Sequence, residues 1–367
     1  MKRILIIALL LLSFGVYASA QYKYEFTTVK QNPATSVKDQ GKTGTCWCFA
    51  TNSFIESELI RMGKGEFDLS EMWIVRNNYV KRIFDNYLRQ GKGNLGPGSV
   101  GHHYIDLMEE CGLMTDQAYS GLLNGAKEHN HGNLQEWIST ASELAVKNRI
   151  VPQPEIVNGI LDAHLGKVPE TFTVNGKEYT PMSFYQSLGL KASDYVEITS
   201  FTHHPYYKEV LLEIPDNWDY KRLYNVPLDE MMQIIDYAVM NGYTLCWDND
   251  LSDQGYAFNH SIALFTDENV KAMKEIDHRI AELPIDAKRR QEMFEDYSTV
   301  DDHLEHLVGI AKDQEGVKYY IVKNSWGTDR NGTGYHYISE NYMKAKTISI
   351  LVNKNSIPKE IRKKLSL

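Results

Sequence analysis

The sequence predicts an α+β protein, helix-dominated in its first part and strand-rich in its last. Three observations carry this reading. Apolar residues recur at helical spacing from Phe49 onward through the first third. Short β-branched and aromatic runs crowd the stretch between His303 and Val352. No internal repeat or low-complexity block interrupts the chain.

A leader comes first. Lys2 and Arg3 precede an apolar run from Ile4 to about Val16, and Ala18-Ser19-Ala20 has the small-x-small pattern of a cleavage site before Gln21. The run is too short for a comfortable membrane span. Residues 1–20 therefore read as a cleaved signal peptide, and the protein as exported to a periplasm or the exterior. No later segment is apolar for long enough to cross a bilayer.

Next, Phe49, Phe54, Ile55, Leu59 and Ile60 make a helical stripe that Gly63 ends. Asp68 and Glu71 stand at capping-box spacing, so a second helix is expected to start there. The run GKGNLGPGSVG breaks the pattern, and HHYIDLMEEC gives a third helix stopped by Gly112. In the middle, LQEWISTASELAVKNRI is helical, and FTVNGKEYT is a hairpin turning at Asn175-Gly176. Val196–Phe201 and Val210–Ile214 read as strands. PLDEMMQIIDYAVMNG is a helix opened by Pro227 and closed by Gly242. YTLCW follows as a buried strand, and 284–297 as a charged surface helix. HLVGIAKD and KYYIVKN are strands about a turn at Glu315-Gly316, with further strands at Gly332–Ile338 and Thr347–Val352. The tail is basic and polar.

Composition narrows the function. The chain has 367 residues, 43% hydrophobic and 24% charged, which is globular rather than disordered. Its net charge of −9 argues against a nucleic-acid partner held through phosphates. The four cysteines are Cys46, Cys48, Cys111 and Cys246. Cys46 and Cys48 are too close to favour bridging each other, and without a second pair they make a poor zinc site. Export permits a Cys111–Cys246 disulfide, although separate buried thiols are commoner. His102-His103, His129 with His131, and His203-His204 lack a metallopeptidase pattern such as HExxH. No metal and no organic cofactor is expected. Asn331-Gly332-Thr333 is a glycosylation sequon, relevant only in a eukaryotic secretory host.

A cysteine nucleophile needs its thiolate, which a helix N-terminus and a nearby imidazolium both favour. Cys46 sits where the Gly41–Gly44 turn gives way to a helix. Cys48 lies about 200° round that helix, so it turns toward the core.

The segment QGKTGTCWCFA resembles the active-site segment of papain-type cysteine peptidases, in which a glutamine stands six residues before a Cys-Trp pair. Gln40 stands six before Cys46. The resemblance implies an oxyanion hole built from the Gln40 amide and the Cys46 N–H. Cys48 departs from the family, which has an ordinary apolar residue there. In DDHLEHLVGIAKD the family pattern of Asp, Asn or Thr before the histidine, with glycine six after it, fits Asp302-His303 and Gly309. His303 is therefore the expected general base, and His306 is expected to face away or line the core. His260, in FNHSIAL, has no Asn-Trp segment at short range. YIVKNSWGT matches the Asn-Ser-Trp-Gly run of the family, which implies that Asn324 orients His303 and Trp326 shields their bond.

The separation of 257 positions from Cys46 to His303 far exceeds the roughly 130–150 of ordinary papain-like enzymes. DLSEMW, GLMTDQAYSG, PLDEMMQIIDYAVMNGYTLCW and RRQEMFEDYSTVDDH resemble the bleomycin hydrolase and aminopeptidase C branch. The resemblance covers most of residues 30 to 355, weakest from about 130 to 225. It implies a helical left half and a β-barrel-like right half, with a large insertion. The peptidase domain spans 21–355: a helical half at about 30–130, the insertion at 131–225 and the β-rich half at 226–355. Residues 356–367 form a tail. The branch implies an aminopeptidase acting through a Cys-His-Asn triad and a thioester, caged in a homo-hexamer, with the Leu367 carboxylate in the cleft to meet a substrate amino group. The leader departs from that largely intracellular branch. Gly96, Gly98 and Ser99 are expected to supply the far wall of the peptide cleft, while Gly-Pro-Gly is also simply a turn. The rival readings are an endopeptidase with an open cleft and a catalytically silent peptide-binding protein.

Overall fold

The computed structural model describes residues 22–367, so the expected leader at 1–20 lies outside the described residues. Six helices lie between residues 46 and 188: α1 (Cys46–Arg61), α2 (Glu71–Leu88), α3 (Gly101–Cys111), α4 (Gly132–Asn148), α5 (Pro154–Leu165) and α6 (Pro181–Leu188). Later come α7 (Leu228–Met240), α8 (Ala287–Glu295), α9 (Glu340–Lys346) and α10 (Lys359–Leu365). None of the described helices is long and apolar enough to cross a membrane.

The α2 cap corrects the sequence reading. Ser70, not Asp68, caps the helix by accepting from the Trp73 N–H at 3.1 Å. Asp68 instead pairs with Lys38. The Asn175-Gly176 turn does join strands β2 (Phe172–Val174) and β3 (Lys177–Tyr179), and both turn residues have positive φ, 50° and 78°.

The remaining strands are β1 (Phe26–Gln31), β4 (Tyr195–Thr199), β5 (Lys208–Leu211), β6 (Arg222–Asn225), β7 (Leu245–Asn249), β8 (Tyr256–Ala257), β9 (Ile262–Ala263), β10 (His303–Asp313), β11 (Lys318–Lys323), β12 (Tyr335–Ser339) and β13 (Thr347–Asn353). They form one sheet in the order β5-β6-β4-β13-β7-β10-β11-β12-β9-β8, with β1 added to β10. The expected barrel does not close among the described residues: β5 and β8 end the path without pairing to each other. The 131–225 segment joins the rest of the fold. Its helices bury Leu134, Ile138, Leu161 and Phe184 in the same apolar cluster as α1 to α3, while β4 to β6 extend the main sheet.

Two cores result. One gathers α1 to α6; the other packs α7 and α9 against β7, β10 and β11. Helix α1 lies between them and is buried from Cys46 to Leu59, so its two faces cannot show a single apolar stripe. It packs on β10 and β7. Thr51 meets Cys246 of β7 at 3.5 Å, and Ser53 meets His306 of β10 at 2.8 Å. The N-terminal end of α1 is thereby fixed beside the start of β10.

Candidate active site

Cys46 is the first residue of α1, reached through a turn that needs its glycines. Gly41 has φ +61°, and a Cβ on Gly44 would meet Pro97 Cγ at 2.6 Å. The thiol is buried, and the backbone amides of Leu304 and Trp47 act on it. Leu304 follows His303, so the sulfur lies against the first residues of β10. Burial pushes the thiol up to about 12, the two amides pull it down, and the Asp301 and Asp216 carboxylates push it further up. Cys48 is fully buried, and its Sγ lies 3.3 Å from the Glu71 carbonyl, so it packs as expected. All four cysteines are free, so there is no Cys111–Cys246 bridge.

His303 opens β10, opposite Asn249 of β7, whose amide donates to the His303 carbonyl at 3.0 Å. Its Nε2 lies 3.0 Å from Asn324 Oδ1. The orientation of the Asn324 amide is fixed, because Oδ1 also accepts the Ser325 N–H at 2.7 Å and Nδ2 donates to the Tyr256 hydroxyl at 3.0 Å. An Oδ1 acceptor requires the proton on Nε2, which leaves Nδ1 as the free base. Burial lowers the imidazole, while Glu305 and the Asn324 bond raise it. The Trp326 ring lies 4.9 Å from the His303 ring, with the Arg330 guanidinium 4.8 Å from the Trp326 centroid.

Gln40 is tied to the same segment. Its N–H donates to Ser325 O at 2.9 Å, and its Oε1 accepts from Ser325 Oγ at 2.7 Å. One Nε2 hydrogen goes to Thr43 O at 2.8 Å, and an amide nitrogen carries a second. Thiol, imidazole, carboxamide and glutamine thus meet where the N-terminus of α1, the start of β10 and the end of β11 converge.

A sequence model described as the peptidase C1-like family matches residues 161–367. One described as papain family cysteine protease matches residues 22–121. The chain belongs to the peptidase C1-like family. It is a cysteine peptidase. It is 22% identical to aminopeptidase G of Lactobacillus delbrueckii subsp. lactis, over 91% of this chain and 84% of the relative. To aminopeptidase C of Lactococcus lactis subsp. cremoris it is 26% identical, over 88% and 82%. The crystal structure of PepW from Lactobacillus rhamnosis HN001 matches with a TM-score of 0.69 at 16% identity, over 93% and 84%. That likeness places the peptidase in the papain-like α+β fold.

Other candidate residues fall differently. His306 is three positions from His303, on the opposite face of the strand; it is buried against Ser53 and Lys323 and does not bond Cys46. His260 bonds Met273 O at 2.8 Å. Ser99 is turned inward, where its Oγ accepts from Trp218 Nε1 and meets His103 Nδ1, each at 2.9 Å; its side chain cannot wall the cleft. Gly96 N–H is taken by Asn94 Oδ1, and the Gly98 carbonyl by Arg82.

Leu367 is not brought to the site. Strand β13 starts at Thr347 opposite Asn249, beside His303, and runs away from it to Asn353 opposite Tyr195. Helix α10 then buries Ile361 and Leu365 in the α7 cluster, and Lys364 pairs with Glu230 at 2.6 Å. Apolar residues four apart gave the tail a place to dock. Sequence reasoning also missed the support behind Asn324. Tyr256 donates to Glu305 at 3.0 Å, and the same carboxylate meets His336 Nε2 at 2.7 Å, with both partners of that pair fully buried.

Proposed function

We propose that this peptidase is an aminopeptidase that works through Cys46, His303 and Asn324. The observation that carries the catalytic roles is the His303–Asn324 bond of 3.0 Å, beside a thiol that touches the next residue of the same strand. His303 Nδ1 takes the Cys46 proton as Sγ bonds the scissile carbonyl carbon. The developing oxyanion is held by the Cys46 N–H and the free Gln40 Nε2 hydrogen. His303 then gives its proton to the departing amine as the C–N bond breaks, leaving a thioester. Water attacks the thioester, His303 takes its proton, and the thiol is restored with release of the N-terminal product. Burial disfavours both charged partners singly, but moving one proton between them creates no net charge. The two relatives named aminopeptidase support the exopeptidase reading. The leader supports export, which N-terminal sequencing of the mature protein tests.

The second reading is an endopeptidase, favoured by the docking of Leu367 against α7 rather than in the cleft. Rates on an aminoacyl fluorogenic amide and on its N-acetyl counterpart separate the two; preference for the N-acetyl substrate excludes the aminopeptidase. A thiol-directed epoxide should label the parent and not Cys46→Ala. Equal labelling of both would remove Cys46 as the nucleophile.

A further inference from the structure

Residues 215–219 form a strap across the glycine-rich loop, which itself packs on Gly44 and Trp47 beside Cys46. Three contacts hold the strap. Asn94 Nδ2 donates to Pro215 O at 2.6 Å and to Asp216 Oδ1 at 3.1 Å. Trp218 bonds Ser99 and stacks on His103, with ring centroids 4.5 Å apart. Asp219 Oδ1 lies 3.1 Å from Nε2 of both His102 and His103. The adjacent histidines therefore work as a clamp.

The strap lays the Asp216 carboxylate directly on Gly98, where any Cβ would collide with it. Asp301 and Asp248 act by charge on each other and on Asp216. Asp248 is 1% exposed, and Asp248 Oδ1 and Asp301 Oδ2 are buried with no donor among the described residues. Arg82 is the cation that acts on Asp216, but its hydrogens go to Asn94 O and Gly98 O. Among the described residues these carboxyls have no bonded cation, and two of them act on the nucleophile.

The chemistry sets which part of a substrate lies here. The leaving amine takes its proton from His303, so the part beyond the scissile bond lies toward His303 and Trp326. A cavity of about 250 Å³ opens there between Trp326, Arg330 and Phe258. The acyl part, with its amino group, then lies toward Gly98. We infer that Asp216, backed by Asp301, receives the α-ammonium of the substrate and makes a free N-terminus the requirement for cleavage. This rests on the aminopeptidase reading. It gives the strap the role that the family resemblance assigns to a C-terminal carboxylate.

Asp216→Asn keeps the shape and removes the charge, while Gly98→Ala keeps the charge and displaces it. Each should raise KM for an aminoacyl amide by about tenfold to a hundredfold, the worth of one charged hydrogen bond, and improve cleavage of the N-acetyl counterpart. Epoxide labelling of Cys46 checks that each variant has assembled its site. On the parent enzyme, leucine amide should protect Cys46 from alkylation, and N-acetyl-leucine amide should not. A parent that prefers the N-acetyl substrate removes the aminopeptidase reading and this inference together. A parent that requires the free amine, with Asp216→Asn keeping the parental substrate ratio or with equal protection by the two amides, removes the inference alone.

Discussion

Tyr256 stands between Asn324 and Glu305, accepting from the amide at 3.0 Å and donating to the carboxylate at 3.0 Å. The Asn324 carboxamide is therefore locked by a phenol that is itself locked. Glu305 is held by His336 at 2.7 Å and by Asn249 at 3.3 Å. A flipped Asn324 would set its NH₂ against the imidazole N–H and against the Ser325 N–H, and the network forbids it.

Asn324→Ala should lower kcat by about a hundredfold, the scale of a misplaced catalytic group, with a smaller effect on KM. Steady-state kinetics on an aminoacyl amide checks this. An unchanged kcat would remove the orienting role.

Tyr256→Phe leaves Asn324 Nδ2 short of a partner among the described residues, while Glu305 Oε1 keeps only His336 Nε2. It should cost about 1–3 kcal/mol in urea unfolding and reduce kcat less than Asn324→Ala does. A larger kinetic loss than that of Asn324→Ala would break the proposed order of dependence.

Glu305→Ala strips the partner from a fully buried His336. Breaking such a pair should cost about 3–5 kcal/mol of stability, while Cys46 stays open to epoxide in whatever fraction remains folded. Wild-type stability in the variant would show the pair to be dispensable.

Burial lowers His303 from its ordinary value, which is about 6.5. The free base therefore persists to lower pH, and the acid limb of kcat/KM should fall below about pH 6.5. Burial raises the Cys46 thiol, so its alkylation rate should keep climbing above neutral pH. An acid limb centred above the ordinary histidine value would contradict this geometry.

The clamp gives a stability signature. Burial opposes charge on His102, but Glu197 and Asp219 prevail and lift it to about 9. A histidine raised in the folded state contributes stability that is full below its unfolded pKa and is lost as pH rises through the folded one. Between about pH 6.5 and 9 the loss from this residue should approach about 1.4 kcal/mol per pH unit. His102→Gln should flatten the unfolding profile across that window; an equal slope in both proteins would assign the loss elsewhere.

Cys46, Gln40, His303 and Asn324 were legible because each belongs to a short segment whose backbone is fixed locally. These are a turn into a helix, the start of a strand and the end of a strand. Tyr256 and His336 carry no such local signal. The two-residue β8 has no periodicity, and only sheet register sets His336 within reach of Glu305. Asp216 was hidden for a different reason: the strap is irregular, and its site is defined by what it covers. The tail had a readable signal in Pro358, Ile361 and Leu365, which the many lysines around them obscured. Ser70 replaced Asp68 as the cap because Lys38 draws the aspartate away.

The two large cores meet along α1, and Cys46 precedes His303 by most of the chain. A ribosome finishes Cys46 long before it has made β10 and β11. Until those strands dock, Cys46 has no imidazole beside it, and Gln40 lacks the Ser325 contacts that hold its side chain. On the proposed roles, hydrolytic competence therefore waits until the segment carrying Asn324 and Ser325 has been made and has docked on α1.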